Sequence, residues 1–197
     1  KRVVELSDTK TSPDILPNRY KQLADVIRFY KPKQTILETG TWNGGRAIEM
    51  ALATFEHTDS VHYIGYDLFE DATIESDEEE FNVKPHNTLR AVEKRLEEFA
   101  EVCKTKEKKT FTFELYKGNV RDTLKSTYVD EVDFAMIGSG NSFKTVDHEY
   151  NLLKNVPVVV LDHYFTKDDD DGLPPDRYQG SKEVFDAVLT KKVEEQK

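Results

Sequence analysis

"TILETGTWNGGRAIEMALA", Thr35 to Ala53, is the stretch on which the fold turns. Its apolar run ends at Glu38, and three glycines follow at Gly40, Gly44 and Gly45. Ala47, Ile48, Met50, Ala51 and Leu52 then recur at helical spacing. The order is strand, glycine turn, helix. Glycine takes positive φ without steric cost, so such a turn lets the backbone pass close to another group. A phosphate, a dinucleotide and some other small molecule all compete for that place.

Two of these fit poorly. Gly40, four residues and Gly45 reproduce the glycine spacing of a P-loop, but Lys and then Ser or Thr should follow. Arg46 and Ala47 stand there, without the compact ammonium or the magnesium-binding hydroxyl. A dinucleotide turn needs Gly-x-Gly-x-x-Gly so that backbone can touch the pyrophosphate. Trp42 fills the second glycine place.

Outward from the turn, strands alternate with helices. "LPNRYKQLADVIRFYKP" predicts an amphipathic helix, with Leu23, Val26, Ile27 and Tyr30 on one face and Pro32 as its stop. "VHYIGYDLF" is a second strand ending near Asp67, and "NTLRAVEKRLEEFAEVC" a helix with Leu89, Val92, Leu96 and Phe99 on one side. "TFTFELYKGN", "VDFAMIG" and "VPVVVLDHYF" are further strands, with helices at "TVDHEYNLLKN" and "GSKEVFDAVLTKK". Short continuous apolar strands that alternate with helices predict an α/β chain: a doubly wound, mainly parallel sheet with helices on both faces. Ligands of such sheets bind beyond the carboxyl ends of the strands. Gly40, Asp67, Gly118-Asn119, Gly138 to Asn141 and Asp162-His163 all fall on that rim.

The 197 residues fit one domain, 1–197, with an N-terminal arm at 1–15. Residues 70–86 form an acidic insertion, too polar for core, which covers something. Residues 166–180 read as a mobile loop placed to act as a lid. Its "KDDDDGL" lacks a calcium loop's ligands, with Lys167 at the first place and Tyr178 where the distal Glu belongs. A net charge of −10 offers no overall field for phosphate backbones, so nucleic acid is not expected as a partner. No apolar run reaches the ~20 residues of a membrane helix. The single cysteine, Cys103, and the lack of a signal-peptide pattern fit a cytoplasmic protein. The five histidines show no metal spacing.

"ILETGTWNGG" resembles the first motif of class I S-adenosylmethionine-dependent methyltransferases, and most the branch with Glu-x-Gly-Thr-x-x-Gly. "YIGYDLF", "YKGNVRDTL", "VDFAMIGSGNSFKTVDHEY" and "VVVLDHYF" are similar to that family's following segments, in order. The resemblance runs from about Leu16 to Leu189 and implies a Rossmann-like fold with S-adenosylmethionine as cofactor. Gly40 and Gly44 would let backbone approach the methionine part, with Thr41 and Gly138 in the same cofactor set. Glu38 would sit beneath the turn near the cofactor's amino group, directly or through water. Asp67 would accept from the two ribose hydroxyls, and Asn119 would face the adenine amino edge. The plainer alternatives are that Glu38 caps a helix, Asp67 ends a strand and Asn119 holds a turn. Asp162 and His163 are the candidate catalytic residues. An imidazole with an ordinary pKa near ~6.5 suits proton removal, and a plain polar lining is the other reading of His163.

The family pattern is broken in two places. In strand four Asn141 stands where the branch usually has His, and Gly138 where metal-dependent relatives carry an acidic ligand; with Asp162-His163 alone in the other ligand place, no metal is expected. The usual C-terminal hairpin has no room in "TKKVEEQK" and is expected to be missing or truncated: either the chain is cut, or the sheet edge is covered in another way, as by a second subunit. The reading is a methyltransferase acting on an unidentified acceptor, with a small molecule preferred. The alternative is a catalytically inactive methyltransferase-like domain that binds a ligand or partner.

Overall fold

The structure is a computed structural model and describes residues 2–5, 18–80, 82, 84–162 and 183–188. Six strands form one sheet: β1 Arg2–Glu5, β2 Thr35–Thr39, β3 Ser60–Asp67, β4 Thr110–Lys117, β5 Phe134–Ile137 and β6 Val158–Leu161. Their order is β1-β6-β5-β2-β3-β4, and every pairing is parallel. The helices are α1 Asn18–Tyr30, α2 Gly45–Thr54, α3 Ile74–Glu79, α4 Leu89–Val102, α5 Val120–Thr123 and α6 Phe143–Leu153, and residues 183–188 are also helical.

Side-chain alternation along the strands builds two cores. Ile36, Tyr63, Phe134, Met136 and Val160 pack on one face with Leu23, Ile27, Met50, Val92 and Leu96 of α1, α2 and α4. Leu37, Tyr66, Ala135, Ile137 and Leu161 pack on the other with Val120, Val146, Leu153 and Val184. Helices thus cover both faces, as the strand pattern predicts, and the sheet is the open, Rossmann-like kind. The period of two also sends Glu38 toward the α2 face and Thr39 toward the α6 face.

The chain winds outward from β2 through β3 to β4, crosses back to β5 beside β2, and continues to β6. The order reverses between β2 and β5, and the crevice for a ligand opens there. The N-terminal segment departs from the arm expected of it. Residues 2–5 pair with β6 from Arg2↔Val158 to Glu5↔Leu161 and cover that edge of the sheet. The acidic stretch also contains a helix, α3, whose Thr73 forms a capping box with Ser76. The loop at 166–180, His163 and the tail at 189–197 lie outside the described residues. Among the described residues no helix is long and apolar enough to cross a membrane.

Candidate functional site

The glycine turn is held in a left-handed path at three points: Gly40 at φ 80°, Trp42 at 52° and Gly44 at 75°. Trp42 therefore adopts the backbone shape that glycine would have supplied. Its indole turns aside, with Nε1 donating to the Pro85 carbonyl at 2.9 Å and Lys84 lying over the ring. Its backbone N–H donates to Asp67 Oδ2 at 2.7 Å, while Phe69 N–H donates to Oδ1 at 2.9 Å. Each Asp67 oxygen thus carries one backbone donor and keeps a further lone pair. The carboxylate is half-buried and lines an open cleft above the β2–β5 crevice.

The cleft holds about 1220 Å³, its mouth included. Of the residues singled out from sequence, Gly40, Thr41, Asp67, Asn119, Gly138 and Asp162 are on its wall. Glu38 and Gly44 are not. Gly44 instead faces α4, where a Cβ would meet Leu96 and Val92 at 3.3 Å. Asn119 caps α5, its side-chain oxygen accepting from Arg121 N–H at 3.0 Å. Thr41 shares a 3.0 Å hydrogen bond with Tyr63.

Glu38 is fully buried and binds protein groups on both oxygens, Arg46 Nε on one and the Tyr63 hydroxyl on the other. Arg46 continues the network: Nη1 donates to Asp162, and Nη2 to the Gly40 carbonyl at 2.9 Å. Burial pushes the Glu38 carboxyl above its ordinary range against the opposing pull of Arg46. Burial alone would lower the Arg46 pKa, but Glu38 and Asp162 raise it, so the guanidinium stays charged. Asp162, read from sequence as a candidate catalytic group, is thus one arm of a buried acid–arginine–acid bridge.

Sequence reasoning missed Arg46 because it weighed that position only against a P-loop lysine. A signal was present in Gly138. A Cβ there would lie 3.0 Å from Arg46 Nη2 and 3.3 Å from Asp162 Cβ, so the guanidinium fills the space a larger side chain would need. Gly138 N–H donates to Thr39 Oγ1 at 3.1 Å, tying the end of β5 to β2.

The acidic stretch crosses the cleft and is fastened at its far side. Glu80 accepts from the backbone N–H groups of Asn141 and Ser142 at 3.0 Å, and from the Ser142 and Thr145 hydroxyls. That carboxylate satisfies the unpaired donors at the start of α6 and complements its dipole. Arg121 pairs with Glu79 at 3.0 Å and His86 with Asp77 at 2.7 Å. Five carboxylates, Asp67, Asp77, Glu79, Glu80 and Asp162, face three cations, Arg46, Lys84 and Arg121, on the cleft wall. The field there favours a cationic ligand over an anionic one. Among the described residues no group of three or more His, Cys, Asp or Glu side chains is placed to hold a metal ion.

Beneath the rim, Glu149 of α6 is fully buried, and desolvation pushes its carboxyl up to about 8. A carboxyl raised in this way stabilises the fold below its unfolded value of 4.5 and loses that contribution as pH climbs through about 8. The wild type should therefore lose up to about 4 kcal/mol between pH 5 and 8.5 through this group. Glu149→Gln should flatten that slope in urea unfolding measured at both pH values. Parallel slopes for the two proteins would show that Glu149 holds no such proton.

No family model matches the sequence, and no curated protein matches it. Solved structures do. The O-methyltransferase TomG of Streptomyces achromogenes, involved in tomaymycin synthesis and solved in complex with S-adenosylmethionine, aligns at TM-score 0.55 and 15% identity. The match covers 90% of this chain and 71% of that one. The methyltransferase PaMTH1 of Podospora anserina, bound to S-adenosylhomocysteine, aligns at 0.54 and 16% identity over 93% and 74% of the two chains. An O-methyltransferase of Bacillus cereus, also with S-adenosylhomocysteine, gives 0.52 and 12% over 91% and 72%. The fold is the one these methyltransferases share, and at such identities the likeness is one of fold.

Proposed function

We propose that this chain is an S-adenosylmethionine-dependent methyltransferase acting on a small-molecule acceptor. The observation that carries the reading is Asp67, at the end of β3 beside the switch point, on the cleft wall and with acceptor capacity left on each oxygen. Two acceptor oxygens side by side match the vicinal hydroxyls of a ribose. The acidic wall suits a cofactor with a positive sulfonium, and the first turn presents no lysine for phosphates. The methionine end passes Gly40 and Gly138, and the adenine lies toward Asn119. The amino group of the cofactor finds no free oxygen on Glu38, so its acceptors come from elsewhere on the wall. The names of the neighbouring structures point the same way, toward methyl transfer to oxygen.

The bound cofactor would supply a methyl group that is already electrophilic. The protein's share is to align an acceptor in line with it and exclude competing water. The room beside Asp162 and Ser139, under the acidic segment, is the place for that acceptor.

Asp67→Ala should weaken S-adenosylhomocysteine binding by ~1.5–3 kcal/mol, roughly 10- to 150-fold, as measured by calorimetry. Asp67→Asn should fall between. A 2′,3′-dideoxy form of the ligand should lose affinity on the wild type and little more on Asp67→Asn. Equal affinity of wild type and Asp67→Ala for the full ligand would remove the main support. Binding without transfer to any acceptor across a broad screen would favour a ligand-binding domain without turnover.

A further inference from the structure

Glu149 is a buried acid with an open end. Its Oε1 accepts a hydrogen bond from Ser139 Oγ, and among the described residues its enclosed Oε2 has no hydrogen-bond partner. Ser139 stands on the cleft wall, packed against the glycine turn, its Cα 2.8 Å from where a Gly40 Cβ would be. One hydroxyl thus joins the cleft to a carboxyl that solvent does not reach.

The surroundings of Glu149 bear on which form it takes. Thr39 from β2 and Ser139 from the end of β5 offer hydroxyls that favour the ionised form, whereas burial and the Glu80 carboxylate oppose it. The other charged residues on elements around α6 are Arg121 and Asp122 of α5, Asp130 and Glu131, and Glu183 and Asp186. The main influences on its proton are burial, the two hydroxyls and Glu80; among the described residues the buried Nε2 of His148, its neighbour in α6, has no hydrogen-bond partner. Arg46 lies on the opposite face of the sheet, its nitrogens taken by Glu38, Asp162 and the Gly40 carbonyl.

We propose that Ser139 and Glu149 form the proton-accepting pair of the methyl transfer, and that arrival of the cationic methyl donor is what readies it. The inference rests on the methyltransferase reading and narrows the acceptor to a neutral hydroxyl that must shed a proton as it is methylated. The acceptor's O–H bond breaks as its oxygen bonds the methyl carbon. The carbon–sulfur bond breaks, and its electron pair stays on sulfur. The acceptor's proton passes to Ser139 Oγ, and the Ser139 proton passes to the Glu149 carboxylate. Ser139 touches the acceptor; Glu149 acts through it. A positive sulfonium beside Ser139 lowers the cost of the carboxylate charge, so the base ionises when the donor is loaded.

S-adenosylmethionine and S-adenosylhomocysteine differ by the methyl group and the positive charge, which makes a test without any acceptor. Both are titrated at pH 7 into wild type and Glu149→Gln, in phosphate and in Tris, whose ionisation enthalpies differ. A downward shift of one pKa unit would make the charged ligand release about 0.4 of a proton more than the neutral one on wild type. Glu149→Gln should abolish that difference while binding both ligands. An infrared difference spectrum of the wild type with the two ligands should show loss of a protonated carboxyl band only with the charged one, whatever the variant does. Equal proton release, or an unchanged carboxyl band, overturns the inference while leaving the cofactor reading intact. Failure of both ligands to bind overturns both.

Discussion

Arg46→Met should cost about 3–5 kcal/mol of folding stability, the scale for removing one partner from a buried ion pair. Glu38 and Asp162 are 0% and 1% exposed, and Arg46 is their shared counter-ion. Without it, two largely buried carboxylates face each other with no counter-ion between them, and one must take up a proton. Glu38→Gln in the same chain should restore part of the loss, because it removes one of the stranded charges. Urea unfolding of the wild type, the two single variants and the double variant closes the cycle. A loss under about 1 kcal/mol for Arg46→Met, with additive behaviour in the double variant, would mean that the bridge does not hold the sheet ends together.

Gly40→Val should be nearly as damaging, and for a reason the sequence alone hides. From the sequence, a side chain at Gly40 should clash with the ligand or force a disfavoured backbone angle, and should block binding in a protein that still folds. In the structure, a Cβ at Gly40 would meet the backbone of β5's end, closest to the Gly138 carbonyl and 2.8 Å from Ser139 Cα. Backbone in a parallel sheet cannot step aside, and φ of 80° is disfavoured for any side chain. Overpacking and a strained dihedral together should cost on the order of 3–5 kcal/mol. Thermal unfolding measures this directly. A variant that melts with the wild type would show that β2 and β5 end farther apart than described.

The alternation of strand and helix was readable because continuous apolar strands such as "VVVL" and "FAMI" admit few environments other than a sheet buried on both faces. Asp67 and Asn119 could be placed on one rim because every parallel strand ends on the same side. The contacts that join distant strand ends could not be read. Arg46 meets Asp162 across 116 positions, and Glu80 reaches Ser142 across 62. Neither has a local pattern, since each depends on crossovers bringing two loops to the switch point. Residues 2–5 looked like an arm because four residues carry too little periodicity to mark a strand, and β6 supplies the pairing that makes them one. Glu149 lay hidden in an ordinary amphipathic helix, its burial set by the β2 and β5 ends above it.

The most direct test is a crystal structure of the protein with S-adenosylhomocysteine. The expected result places both ribose hydroxyls on the Asp67 carboxylate, the adenine edge toward Asn119, and the amino-acid end across Gly40 and Gly138. The Glu38–Arg46–Asp162 bridge should be intact beneath it. A ligand seated elsewhere, or an empty cleft in crystals grown at millimolar ligand, would contradict the assignment of this site.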